Sequence, residues 1–173
     1  MRKETTLETL LDFMTKLGEQ ATGPGIVYLV GGACSVLYNI RAQTLDINIK
    51  LDPEPAGIFE AIDSIKKNLN LNIELASPDQ FVPALPGWKE RSVFIKTING
   101  VEFKHFDFYT QALAKIERGH ATDLLDLSFY FDKGLVSRDK LILLFEEAKD
   151  KFIRYPSLDF ETLKSKLLKL TQE

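Results

Sequence analysis

The feature that most constrains this chain is an apolar run that ends on two glycines and is followed by a strict alternation. Residues 27–51 read V-Y-L-V-G-G-A-C-S-V-L-Y-N-I-R-A-Q-T-L-D-I-N-I-K-L. The run at 26–30 predicts a buried strand, and Gly31-Gly32 ends it. A short helical pattern covers 33–40. Residues 44–50 then alternate with period two. Leu45, Ile47 and Ile49 fall on one face, and Asp46, Asn48 and Lys50 on the other. Two strands joined by a short helix behind a glycine pair leave little choice but a sheet with a polar patch on one face.

That patch has a chemistry. Asp46 and Asn48 present oxygens from alternate positions of one strand, with Cα atoms about 7 Å apart. Oxygens at that spacing converge on one hard cation, Mg2+ or Mn2+. A glycine pair after a strand admits a phosphate close to the backbone and leaves amides to donate. The two together are the parts of a metal-plus-triphosphate site, with a nucleoside triphosphate as substrate. Arg41, just before the second strand, reads either as a surface charge or as a fork onto phosphate oxygens.

Further candidates come from the rest of the chain. Residues 71–75 alternate as a third strand, which makes Glu74 a third metal-site acid if that strand lies beside the Asp46 strand. Glu102 and Asp107 are the competing acids, because sequence does not set strand order. The proline-rich segment 77–87 is an irregular loop, followed by Trp88, Lys89 and Arg91. Lys89 and Arg91 are within plausible reach of a triphosphate. Trp88 reads as a core plug before it reads as a base-stacking platform. Asn99-Gly100 between apolar runs predicts a hairpin of strands 92–97 and 101–108.

Helical patterns fill the remainder: 5–20 with Thr5 and Glu8 as a capping box, 58–69, 109–118, 121–132 with Thr122 as cap, 137–154 and 159–170. Lys115 and Arg118 share one helix face; Asp123 and Asp126 share a face of the next. Their bland reading is an ion pair that locks the two helices.

The chain has 173 residues, 45% of them hydrophobic, and a net charge of −3, which argues against a strongly basic nucleic-acid surface. Its single cysteine, Cys34, excludes an internal disulfide and a cysteine-based zinc site, and reads as buried filler. No apolar run approaches the roughly 20 residues that span a bilayer, so no membrane partner is expected. The N-terminus opens on an amphipathic pattern rather than a signal-peptide core. The expectation is a cytoplasmic protein of one α+β domain. A mixed sheet of about five strands carries packed helices (1–108), and a helical C-terminal third (109–173) packs on it.

Gly31-Gly32, Arg41, Thr44 and Asp46-Ile47-Asn48 resemble the signature of the nucleotidyltransferase superfamily, the polymerase-β-like fold: a glycine pair, a helix, then D-x-D on the next strand. Asn48 stands where that pattern has its second acid. Farther on, Glu74 to Asp79, Leu85-Pro86-Gly87-Trp88 with Arg91-Ser92, F-K-H-F-D-F-Y-T-Q-A-L-A-K-I-E-R-G-H and D-L-L-D-L are similar to a family of small, largely uncharacterised bacterial nucleotidyltransferase-like proteins. The resemblance spans roughly residues 26–136. The lysine, arginine and D-x-x-D on two helices also resemble the abortive-infection nucleotidyltransferase toxins.

These resemblances imply transfer of a nucleoside monophosphate from an NTP to a hydroxyl of an RNA, a protein or a small molecule. The implied metal ligands are Asp46, Asn48 and Glu74. The implied nucleotide contacts are Gly31, Gly32, Arg41, Thr44, Arg91 and Arg118. The toxin comparison adds Lys115 and Asp126 to the site and implies a small regulator protein encoded nearby. The Asn48 departure implies the alternative: a degenerate relative that binds nucleotide or partner without turnover.

Overall fold

The computed structural model describes residues 1–172. A two-residue strand, β1 (Thr5–Thr6), leads into helix α1 (Leu7–Gln20), and the long apolar strand β2 (Gly25–Val30) follows. Then come α2 (Gly32–Leu37), the short β3 (Gln43–Thr44), β4 (Asp46–Leu51), α3 (Ile58–Leu69) and β5 (Asn72–Leu75). A 3-10 turn at Pro78–Gln80 and α4 (Trp88–Arg91) precede the hairpin of β6 (Val93–Ile98) and β7 (Val101–His105). The helices α5 (Phe108–Arg118), α6 (Ala121–Asp132), α7 (Arg138–Glu147) and α8 (Phe160–Thr171) complete the chain, with a 3-10 stretch at Lys149–Arg154. The class is α+β.

The chain forms two compact units. One contains Met1–Ser77 and Val93–Phe106; the other contains Pro78–Ser92 and the chain from Asp107 onward. Residues 78–92 cluster with the helices of the second unit.

In the first unit a five-stranded mixed sheet runs in the order β5-β4-β2-β7-β6. β2 is antiparallel to β4 and parallel to β7; β5 is parallel to β4. The ladder puts Leu29 beside Ile49 and Val27 beside Phe103, and all four are buried. Leu10, Phe13, Met14 and Leu17 of α1 and Ile58, Ile62 and Ile65 of α3 complete the core. The β6–β7 hairpin turns through Asn99 at φ 50° and Gly100 at φ 79°. A two-residue loop with positive φ at both positions matches the right-handed strand twist, and Asn-Gly adopts it with least strain.

Three local expectations are corrected here. The α1 cap is Thr6, whose hydroxyl accepts from the Thr9 amide at 3.4 Å, and not Thr5. Thr5 is instead paired with Thr44 across β1–β3. Leu45 does not share the burial of Ile47 and Ile49; it is 63% exposed. The chain changes ladder there, from β3 against β1 to β4 against β2, so the alternation breaks at that residue. The N-cap of α6 is His120 rather than Thr122, because Gly119 at φ 69° ends α5 one residue earlier.

In the second unit α5 contacts α6, α8, α4 and the Pro78–Gln80 turn. Leu113, Ile116, Leu127, Tyr130, Leu141 and Leu163 are buried. Phe145 stacks on Phe160 at 4.6 Å and meets Phe152 edge-on at 5.5 Å. Trp88 is not the expected core plug: it is only partly buried, with the Lys89 ammonium 5.4 Å over its ring. Among the described residues no helix is long and apolar enough to cross a membrane.

His105 ends β7 beside Leu29, with the Tyr38 ring 4.8 Å away. Burial pushes its imidazole down to about 4, from 6.5. Below pH 6.5 the unfolded chain therefore binds a proton that the folded chain refuses until about pH 4. This stabilising contribution is full above pH 6.5 and lost as pH falls toward 4, by an amount of about 3 kcal/mol. Urea titrations between pH 4 and 7 should show that decline, and His105→Leu should flatten it; parallel slopes in the two proteins would refute the assignment.

Candidate functional site

In the first unit, the β2–β4 pairing decides where the polar patch lies. Because the strands are antiparallel, the C-terminal end of β2 meets the N-terminal end of β4, and Val30 sits opposite Asn48. The Gly31-Gly32 turn and the Asp46-x-Asn48 alternation therefore occupy the same end of the sheet. Parallel β5 adds its residues in register: Asn72 pairs with Asp46, and Glu74 with Asn48. Four polar side chains thus share one face of two neighbouring strands. This register sorts the three competing acids. Glu74 stands beside Asn48. Glu102 lies beyond β2 on β7, opposite Ile26, with the Lys104 ammonium 3.6 Å away. Asp107 is occupied elsewhere, as described below.

Within the patch the side chains are connected. The Asn72 side-chain amide donates to Asp46 Oδ1 and, at 2.8 Å, to Glu74 Oε1. Asn48 Oδ1 is buried and receives no hydrogen bond. A buried acceptor left without a donor is costly, and in a native protein it calls for a partner. A divalent cation is one such partner, so the Asp46, Asn48 and Glu74 set fits Mg2+ or Mn2+ in donor chemistry: two carboxylates and one amide oxygen. Among the described residues no three His, Cys, Asp or Glu side chains are grouped to hold a metal.

The glycine turn differs at its two positions. Gly31 has φ 62°, the left-handed region that glycine enters freely, and an added Cβ would meet nothing within 4 Å. The space beside it is open. Gly32 is packed instead: an added Cβ would overlap Thr44 Oγ1 and lie 2.9 Å from Thr44 Cβ. The Thr44 hydroxyl in turn donates to the Asp46 carbonyl at 3.3 Å. Thr44 therefore braces the glycine turn against the start of β4. Arg41 lies between α2 and β3, its amide bonded to the Ser35 carbonyl at 3.3 Å.

The other sequence candidates belong to the second unit, where their charges are engaged. Lys115 is 5% exposed, and its ammonium lies 2.8 Å from Asp126 Oδ2 and 3.5 Å from Asp123 Oδ1. Arg118 forks onto Asp123, Nε to Oδ2 at 2.8 Å and Nη2 to Oδ1 at 2.5 Å. The His120 amide adds a bond to Asp123 Oδ2 at 3.3 Å. Burial opposes ionisation of Asp123. The Arg118 hydrogen bonds, the Lys115 and Arg118 charges and the His120 amide outweigh it and hold the carboxyl below the usual range. These pairs tie α5 to α6 across the Gly119 turn, as the bland sequence reading expects.

Arg91 is likewise engaged. It forks onto Asp107, Nε to Oδ1 at 3.0 Å and Nη2 to Oδ2 at 2.8 Å. Asp107 is fully buried and caps α5, accepting from the Tyr109 and Thr110 amides, both at 3.2 Å, and from the Thr110 hydroxyl at 2.8 Å. With that many donors it has no capacity for a metal.

No protein-family model, curated protein or solved structure matches this chain.

Two roles escaped the sequence reading. Asn72 precedes Glu74 by two and so shares its strand face; that period-two spacing is the signal for its role. Asp107 stands just before a helical pattern, and an Asp at that place is an N-cap signature.

The two kinds of acid differ in what their removal does. Asp107→Ala leaves the Arg91 guanidinium without its carboxylate and α5 without its cap, and should destabilise by about 3–5 kcal/mol. Asp46→Ala, on the partly exposed strand face, should change stability by less than about 1 kcal/mol. Asp126→Ala should resemble Asp107→Ala, with much of the loss recovered by the apolar pair Lys115→Met with Asp126→Leu. Denaturant unfolding of the variants checks this, and equal losses at Asp46 and Asp107 would overturn the distinction.

Proposed function

We propose that this chain is a metal-dependent nucleotidyltransferase that moves a nucleoside monophosphate from an NTP to a hydroxyl acceptor. The observation that carries the reading is the β4–β5 patch beside the glycine turn: Asp46 and Glu74 share its face with Asn48, which pairs with Glu74 and has a buried, donorless side-chain oxygen. The G-G, helix, D-x-N order on two antiparallel neighbours supports it. Fold class by itself would not, since one fold hosts many activities.

Asp46, Asn48 and Glu74 would hold Mg2+ or Mn2+. Bound there, the ion would supply neutralisation of triphosphate charge and polarisation of the phosphoryl group under attack. The protein's own part is binding and orientation. Gly31, with open space at its Cβ position, lets a phosphate come close to the backbone. Thr44 holds that turn in place through its contact with Gly32. Arg41 offers a guanidinium from the same unit for the departing pyrophosphate. Lys115, Arg118 and Arg91 belong to the scaffold in this reading. An ammonium between two carboxylates has little net field left to offer a phosphate.

Asn48 also favours a second reading, a relative that binds nucleotide or a protein partner without turnover. An amide at that position gives the site one negative charge fewer than a D-x-D pair, and weaker hold on a divalent cation.

Calorimetry with ATP, CTP, GTP and UTP, each with and without Mg2+, tests the nucleotide site that both readings can share, and release of pyrophosphate from the bound NTP separates turnover from binding alone. The enzyme reading expects one triphosphate to bind only with Mg2+, and Asp46→Ala to weaken it at least about tenfold, about 1.4 kcal/mol. Binding by Asn48→Asp alone would favour the non-catalytic reading. If neither protein binds any nucleotide, the proposal fails.

A further inference from the structure

Asn72 is the polar residue of the patch that no part of the proposed chemistry uses, yet its amide touches both carboxylates. Its side-chain nitrogen donates one hydrogen to Asp46 Oδ1 and the other to Glu74 Oε1. The register explains why one residue can do this. Asn72 lies directly opposite Asp46 on the neighbouring strand and two residues before Glu74 on its own, so it stands between them on the same face.

The arrangement answers two physical difficulties. Two carboxylates on one strand face repel each other, and a donor placed between them offsets that repulsion. β5 is also the edge strand of the sheet, and Glu74 is exposed. An exposed glutamate on an edge loses side-chain entropy when held in one rotamer, and no outer strand is present to confine it. The Asn72 hydrogen bond is the contact that draws its carboxylate toward β4 rather than into solvent. Each carboxylate gives one oxygen to Asn72 and keeps its second oxygen for a ligand. Hydrogen-bonded ligating carboxylates of this kind are the usual support of a metal centre.

We infer that Asn72 is a positioning residue of the metal site: its amide holds Asp46 and Glu74 in place on the strand face they share with Asn48, where the divalent cation would bind. The inference rests on the metal-site reading above, and its test uses the ion alone. Mn2+ is titrated into the full-length chain and free Mn2+ is followed by electron paramagnetic resonance. The proteins are wild type, Asp46→Ala and Asn72→Leu, with a thermal melt of each. Asn72→Ala replaces the leucine variant if the latter fails to fold.

The expected result is a single Mn2+ site in the wild type, lost in Asp46→Ala. In the Asn72 variant it should weaken about 10- to 100-fold, the range typical for groups that support metal ligands, with an unchanged melting temperature. A merely structural asparagine would lower the melting temperature and leave the affinity alone, and that result overturns the inference. Wild-type affinity in the Asn72 variant overturns it too, while leaving the metal site standing. A wild type that takes up no Mn2+, alone or with an NTP, removes the metal-site reading and this inference together.

Discussion

The antiparallel register of β2 against β4 is the constraint on which the rest of the site depends. β2 is buried along nearly its whole length, between two hydrogen-bonded neighbours. Its ladder with β4 places Val30 opposite Asn48, so the glycine turn and the polar alternation meet at one sheet end. A slip of one residue would turn Ile47 and Ile49 out of the core and Asp46 and Asn48 into it. Burial of those isoleucines therefore fixes which way the oxygens face. The patch is polar because its opposite face is apolar.

The acidic residues divide according to how they are satisfied. Asp107, Asp123 and Asp126 are buried and held by cations and amides, so their charge is spent on joining segments of the helical unit. Asp46 and Glu74 instead accept from the Asn72 side-chain amide, a neutral donor. The proposed cation site rests on that difference between the two sets of acids. The distinction could not be drawn from residue type, since all five are carboxylates.

Much of the fold was legible because its signals are local. The run at 26–30, the Asn99-Gly100 hairpin and the helices at 58–69 and 121–132 are written in periodicity and turn chemistry over a few residues. The Lys115 and Arg118 pairing with Asp123 and Asp126 was legible for the same reason, since the two helices are joined by a tight turn. Where the reading failed, a long-range contact intervened. Thr5 left its capping role because Thr44, far along the chain, pairs with it; Leu45 left the core because two ladders meet there.

The sequence by itself determined that a glycine turn follows a buried strand and that Asp46 and Asn48 share a face, and it offered an ion pair between the C-terminal helices as one of two readings of Lys115, Arg118, Asp123 and Asp126. These follow from backbone sterics and residue spacing, which act over one or two turns of chain. Only the tertiary structure decided the strand order, and with it which of Glu74, Glu102 and Asp107 stands beside Asn48, the bridging amide of Asn72 and the donorless oxygen of Asn48. Those features are set by ladders between strands many residues apart. Which strands pair depends on how the apolar faces of α1, α3 and the sheet bury one another, and no local pattern encodes that.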